Sequence, residues 1–150
     1  YMVILKRGKF YENEHFSIND IELIYKPNIG KPLFDSNVWK KNKGLVKDKK
    51  AIGIKISSDQ EIEFLKNDVN YFNLIQFDFL SFKDGRPFTL AKKLRQEFNY
   101  VKEIRASGNI LPDQYIFLKR SGFDSVEIEE SSKDTWINFY NMDDGLYYQP

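Results

Sequence analysis

The sequence predicts an α/β fold: four consecutive β-α units forming a parallel sheet that resembles half of a (β/α) barrel, preceded by a short N-terminal β-hairpin region. Three observations carry this expectation. From Ala51 onward, short β-branched or aromatic runs alternate with segments of helical period. Each crossover is long enough to bring the chain back and lay the next strand parallel beside the last, in the order 1-2-3-4. The strands are also two-faced. Ile54, Ile56, Ile75, Phe77, Phe79, Ile104, Ala106, Val126 and Ile128 can face helices together, whereas Lys55, Gln76, Asp78, Glu103, Arg105, Ser125, Glu127 and Glu129 take the other side. That second face is too polar for a sheet covered by helices on both sides. It is left to meet water, the N-terminal segment, a second copy of the chain or a ligand.

Taken in order, residues 2 to about 26 hold short apolar alternations, Val3-Ile4-Leu5, Phe16 with Ile18, and Ile21, Leu23 and Tyr25, which read as a hairpin or two short strands. Pro27, Gly30 and Pro32 punctuate a loop, and Phe34 to Lys41 reads as a short helix carrying Trp39. The basic run from Lys40 to Lys50 is expected to be a solvated linker, with a phosphate-contacting patch as the alternative. Ala51 to Ser57 is the first parallel strand. Ser58-Asp-Gln-Glu61 has the form of a capping box, so a helix should follow with Ile62, Leu65 and Val69 inward. Phe72 to Phe79 is the second strand, and Thr89 to Phe98 the next helix. Val101 to Ser107 is the third strand. Pro112 is placed to open a helix that Gly122 closes. Asp124 to Glu129 is the fourth strand, and a final helix from Ser132 should stop near Asp143-Asp144-Gly145, leaving a Tyr-rich tail.

Composition bounds the function classes. At 150 residues the chain is expected to be one domain, with 1–50 as hairpin and linker region, 51–142 as repeated units and 143–150 as tail. A hydrophobic fraction of 41%, with 13 Phe and 9 Tyr, supports a packed core. Twenty-three basic residues against 22 acidic ones give a net charge of +1, which offers no field to attract nucleic acid or a membrane surface. The chain has no Cys, so thiol catalysis, disulfides and thiolate metal sites are closed to it. No metal site and no cofactor are expected. No apolar run approaches a membrane span, and a cytoplasmic location is the expectation.

The unusual residues gather in loops that follow strands, where ligands sit in parallel α/β folds. Asp78 and Arg105 fall near the ends of the second and third strands, close enough in register for an ion pair. Such a pair either neutralises the polar face or binds a small anion on Arg105 while Asp78 holds a proton. Asp84-Gly85-Arg86 supplies a tight turn that presents Arg86. Gly108-Asn109 plays the same part after the third strand, ahead of a helix start whose amides could meet an anion. Asp113 and Gln114 occupy that first turn and could serve capping alone. Glu127 with Glu129 could act as paired carboxylates or metal ligands, or form a solvated face, the reading favoured with no histidine nearby in sequence. His15, the single histidine, reads as an ordinary surface or hairpin residue. No dinucleotide, phosphate-loop or serine-nucleophile motif is present.

DFLSFKDGRPFTLAKKLRQEFNY, followed by KEIRASGNILPDQYIFLKRSGFDSVEI, resembles a family of small bacterial proteins of unknown function. These proteins often carry the label of probable oxidoreductases involved in sulfite reduction, because their genes tend to adjoin that of a haem-containing sulfite reductase. The resemblance rests on Phe82, Asp84, Gly85, Arg86, Leu94, Arg95, Arg105, Gly108, Asp113, Gln114, Arg120, Gly122, Phe123 and Asp124. At Ser121 relatives often have Cys.

The resemblance implies a sulfur-assimilation setting. The expected function is therefore an accessory protein of assimilatory sulfite reduction that contacts the reductase or binds a small anion. Ligand-binding candidates are Asp84, Arg86, Arg105, Gly108, Asp113 and Gln114. Two alternatives stay open. One is an enzyme for a small anionic or phosphorylated substrate, with Asp78 or Glu127 as acid/base. The other is a homodimeric structural module paired through the polar face.

Overall fold

The computed structural model describes residues 1–25, 30–46 and 51–147, with side chains described as far as 142. Among these residues eight strands form a single sheet: β1 (Met2–Lys6), β2 (Lys9–Tyr11), β3 (His15–Ile18), β4 (Lys31–Asp35), β5 (Ile52–Ser57), β6 (Phe72–Phe79), β7 (Glu103–Gly108) and β8 (Ser125–Glu129). Their spatial order is β2-β1-β8-β7-β6-β5-β4-β3. The four expected strands are β5 to β8, neighbours in chain order and parallel throughout. Among the described residues four α-helices accompany them: α1 (Ser36–Val46), α2 (Arg86–Gln96), α3 (Tyr115–Ser121) and α4 (Lys133–Tyr147). Among the described residues no helix is long and apolar enough to cross a membrane.

The N-terminal region contributes more than a hairpin. β1 and β2 form that hairpin, with Arg7 at φ +52° and Gly8 at φ +79° in a two-residue turn that matches the twist of the flanking strands. β1 also pairs antiparallel with β8 and so extends the sheet at one side. At the other side β3 and β4 add two parallel strands ahead of β5. Lys31–Asp35 is thus a strand where a loop and a helix start were expected. Phe34 faces the helices fully buried beside Ile54, and that burial outweighs Pro32, whose missing N–H a strand end tolerates. Pro27 and residues 47–50 of the basic run lie outside the described residues.

The curl of the sheet follows from one short link. β2 and β3 are the two outermost strands, yet only residues 12–14 join them. In a flat sheet seven strand spacings would separate them by about 33 Å, whereas three intervening residues hold Tyr11 and His15 within about 14 Å. The sheet must therefore roll up, and it forms a half-barrel with its helices outside. The polar residues line the concave side, and the N-terminal segment 12–14 crosses in front of it.

The convex side carries the core. Ile54, Ile56, Ile75, Phe77, Phe79, Ile104, Ala106, Val126 and Ile128 are all buried, as the strand faces predict. Ala91 and Leu94 of α2, Leu118 of α3 and Trp136 of α4 close over them. Phe79, Phe88 and Phe123 meet at tilted and edge-on angles with centroids 5.6–6.3 Å apart, a favourable aromatic geometry.

One predicted helix does not form. Between β5 and β6 the chain makes two single 3-10 turns, Glu63–Leu65 and Val69–Tyr71, although Ile62, Leu65 and Val69 are buried as expected. Ser58, the supposed cap, instead accepts the Leu80 amide at 3.2 Å, and Gln60 reaches back to the Ser57 amide at 3.0 Å. The cap residues are thereby committed to the end of the neighbouring strand. α4 continues to Tyr147, past the expected stop, and the last three residues of the tail lie outside the described residues.

Arg95 joins the repeats to one another. From the end of α2 its guanidinium donates to the carbonyls of Tyr100 (2.9 Å), Lys102 (2.6 Å) and Gly122 (2.7 Å), and to Asp124 Oδ2 (2.7 Å). The same Asp124 oxygen accepts the Ile104 amide at 3.0 Å. Gly122, at φ +109°, ends α3 as anticipated.

Candidate functional site

The predicted site residues divide between the two ends of the half-barrel. In the loop after β6, Arg86 lies against Asp84, donating from Nε at 2.9 Å and Nη2 at 2.8 Å, while Asp84 also accepts the Arg86 amide at 3.1 Å. The Arg86 guanidinium holds the Asp84 carboxyl far below the usual carboxylate range. This tripeptide opens α2. In the loop after β7, Gly108 packs so closely on β6 that a Cβ would stand 2.6 Å from Asp78 Oδ1 and 2.7 Å from the Phe79 carbonyl. Asn109 ties the two loops together through the Phe79 and Leu80 carbonyls. Gln114 accepts the Leu111 amide and donates to the Phe82 carbonyl, so its side chain knits the same loops. Asp113 is exposed in the turn before α3.

Asp78 and Arg105 do not pair. The register sets Gln76 opposite Arg105 and Ser107 opposite Asp78, and Asp78 Oδ1 accepts the Ser107 hydroxyl at 3.1 Å. Nor does Arg86 approach Arg105: the latter points to the amino ends of the parallel strands, into a cavity that Arg86 does not line.

That cavity, about 490 Å³, is built from both halves of the chain. Lys6 and Ile4 come from β1, Glu103 and Arg105 from β7, His15 and Lys31 from the starts of β3 and β4, and Glu12 and Glu14 from the crossing segment. Arg105 is 4% exposed. Its Nη2 donates to Glu103 Oε2 at 3.0 Å, its Nε to Ser125 Oγ at 3.3 Å, and its Nη1 has only a long contact of 3.5 Å to Asn13 Oδ1. Lys6 reaches the other oxygen of the same carboxylate, Glu103 Oε1, at 3.1 Å. Ser125 Oγ also donates to Glu103 Oε2 at 2.7 Å. Burial pushes the Glu103 carboxyl up, but the Ser125 hydroxyl and the Arg105 and Lys6 cations outweigh it and hold Glu103 below its ordinary range.

His15 completes the wall. Burial, then the nearby Arg105 charge, pushes its imidazole down to about 4, so it is neutral at pH 7. Its Nδ1 is buried and has no hydrogen-bond partner among the described residues. Asn13 bridges the mouth, donating to Glu127 Oε2 at 3.3 Å, and Lys31 pairs with Glu14 at 2.8 Å. Over the whole lining, four cationic side chains face three carboxylates. Glu129 is exposed outside this group, and among the described residues no three His, Asp or Glu side chains gather as a metal site.

A family model described as a bacterial protein of unknown function (DUF934) matches residues 53–150, from β5 to the end of the chain. The chain belongs to the DUF934 family. No match was found among curated proteins or among solved structures. In this DUF934 protein the matched span supplies Glu103, Arg105 and Ser125, the floor of the cavity, while Lys6, Asn13, His15 and Lys31 come from the residues before it. Sequence reasoning placed Arg105 and Glu103 on the polar face, left Lys6 and Asn13 unassigned, and read His15 as an ordinary surface or hairpin residue, whereas its ring forms part of the cavity wall with a buried Nδ1. The three-residue link after Tyr11 carries the segment across that face only because β2 and β3 end up at the two edges of the sheet, which is tertiary information.

Proposed function

We propose that this protein is an accessory protein of sulfite reduction that binds a small oxyanion, such as sulfite, in the cavity at the amino ends of its parallel strands. One observation carries the reading. Lys6 and Arg105 share the single carboxylate of Glu103, which leaves a positive charge in excess on a floor largely removed from water. An uncompensated charge in such a place is costly, and an anion that accepts from Arg105 Nη1 in place of its long contact to Asn13 relieves it. Neutral His15 adds a polar ring nitrogen without adding charge, which suits a ligand that has both ionised and protonated oxygens. Asn13 holds Arg105 only weakly, so an anion can replace that one contact at small cost. The sulfur setting comes from the family resemblance, and the anion from the cavity.

Isothermal calorimetry with sulfite, sulfate and phosphate tests the reading. Saturable binding is expected for the wild-type chain, lost in Arg105→Met and kept in Arg86→Ala, since Arg86 belongs to the loop at the other end. Absence of binding at millimolar anion, or equal loss in Arg86→Ala, would overturn it.

A further inference from the structure

The opposite end of the half-barrel holds a second cavity, of about 270 Å³, at the carboxyl ends of the parallel strands. Ser17 and Asn19 line it from β3 and its exit, Asp35 from the end of β4, Lys55 and Ser57 from β5, and Asp78 from β6. The register sets Asp35 beside Lys55 and Ser57 beside Asp78. Lys55 is half-buried and makes no hydrogen bond or ion pair among the described residues. Asp35 commits one oxygen to the Asn37 amide at 2.9 Å, and Asp78 commits one to Ser107, so each keeps a second oxygen for another donor.

Gln76 lies on the concave face between Lys55 and Arg105, two residues before Asp78, is 1% exposed and does not line the cavity. The cavity itself presents a cation with no partner among the described residues together with two carboxylates that each keep an oxygen for another donor. A ligand of one sign satisfies one and leaves the other bare.

We propose that this cavity is a second binding site, for a small zwitterion of the amino-acid type. The ligand carboxylate lies on Lys55, and its ammonium donates to the free oxygens of Asp35 and Asp78. Ser57 and Ser17 offer hydroxyls to a polar side chain, while the small volume excludes bulky ones. The site is separate from the anion cavity and does not depend on it.

The test is a calorimetric titration of the wild-type chain with glycine, L-alanine and L-serine, and with acetate and methylamine as single-charge controls. Saturable binding of at least one amino acid is expected, with neither control binding comparably. Lys55→Met and Asp78→Asn each weaken it by about tenfold or more, whereas Arg105→Met leaves it unchanged. A parallel two-dimensional NMR titration of the wild type keeps the test independent of how the variants fold. The backbone amides of residues 55–57 and of Asp78 are expected to shift. No amino-acid binding, equal binding of acetate, or shifts confined to other regions would overturn the proposal.

Discussion

Glu103→Gln separates a binding site from a structural ion cluster, because it should move stability and affinity in opposite directions. The substitution keeps the shape of the side chain and an oxygen for Ser125, but withdraws the charge that Lys6 (3.1 Å) and Arg105 (3.0 Å) share. Arg105 has a side chain only 5% exposed, so its charge is left without a counterion where solvent screens it poorly. Breaking a buried pair in this way costs about 3–5 kcal/mol. Lys6, a third exposed, recovers part of its solvation, so a loss near the lower figure is expected. For a chain of this size that lowers Tm by roughly 6–12 °C. An anion in the cavity meets one more net positive charge. At about 6 Å and an effective dielectric of about 20, a unit charge is worth about 3 kcal/mol, an upper bound of about a hundredfold in Kd. Urea unfolding and sulfite calorimetry at matched ionic strength measure the two effects. A loss of stability with unchanged or weaker anion affinity would refute the reasoning, since Lys6 and Arg105 would then serve the fold alone.

The remaining expectations are more local. Arg95→Ala should destabilise by about 3 kcal/mol in urea unfolding, and Arg95→Lys should recover less than half of it, because one ammonium cannot replace a fork that spans three carbonyls and Asp124. His15 has its folded pKa depressed from 6.5 to about 4, so its neutral form contributes stability that is present above pH 6.5 and is lost as pH falls toward 4. Replacing it in His15→Gln should flatten the urea midpoint across that window, and an unchanged pH slope would show that His15 is not buried neutral. Gly108→Ala should cost about 2 kcal/mol or more in thermal unfolding, because φ is +83° and the new Cβ meets Asp78 and the Phe79 backbone. Gly85→Ala, at φ −92° with nothing within 4 Å of the added carbon, should stay within about 0.5 kcal/mol of the parent.

The parts of the fold that were legible in the sequence are those whose information is local. Alternation along 52–57, 72–79, 103–108 and 125–129 fixes which side chains face the helices, and Gly122 marks a helix end. β4 was not legible, because Pro32 and a five-residue length resemble a loop, and only pairing with β5 identifies it as a strand. The helix after Ser57 was over-read: Ile62, Leu65 and Val69 fit both a helical stripe and two successive tight turns. Deciding between these needs the Ser58 bond to Leu80 across the sheet. The candidate site depends still more on tertiary information. A shift of two residues in the register separates an Asp78–Arg105 pair from the observed Gln76–Arg105 neighbours. His15 draws its surroundings from β7 and β4, far from it in sequence, so nothing adjacent to it announces a cavity wall.

The most direct test of an oxyanion seated on Arg105 is the Nε–H resonance of that residue, followed by NMR during a sulfite titration. The group donates to Ser125 Oγ at the buried floor of the cavity, so its signal reports on that floor and not on bulk solvent. A saturable shift with the same Kd as the calorimetric curve, absent in Lys6→Met or reduced there by about tenfold, is the expected result. A signal that stays in place while sulfite binds elsewhere, or does not bind, would contradict the account.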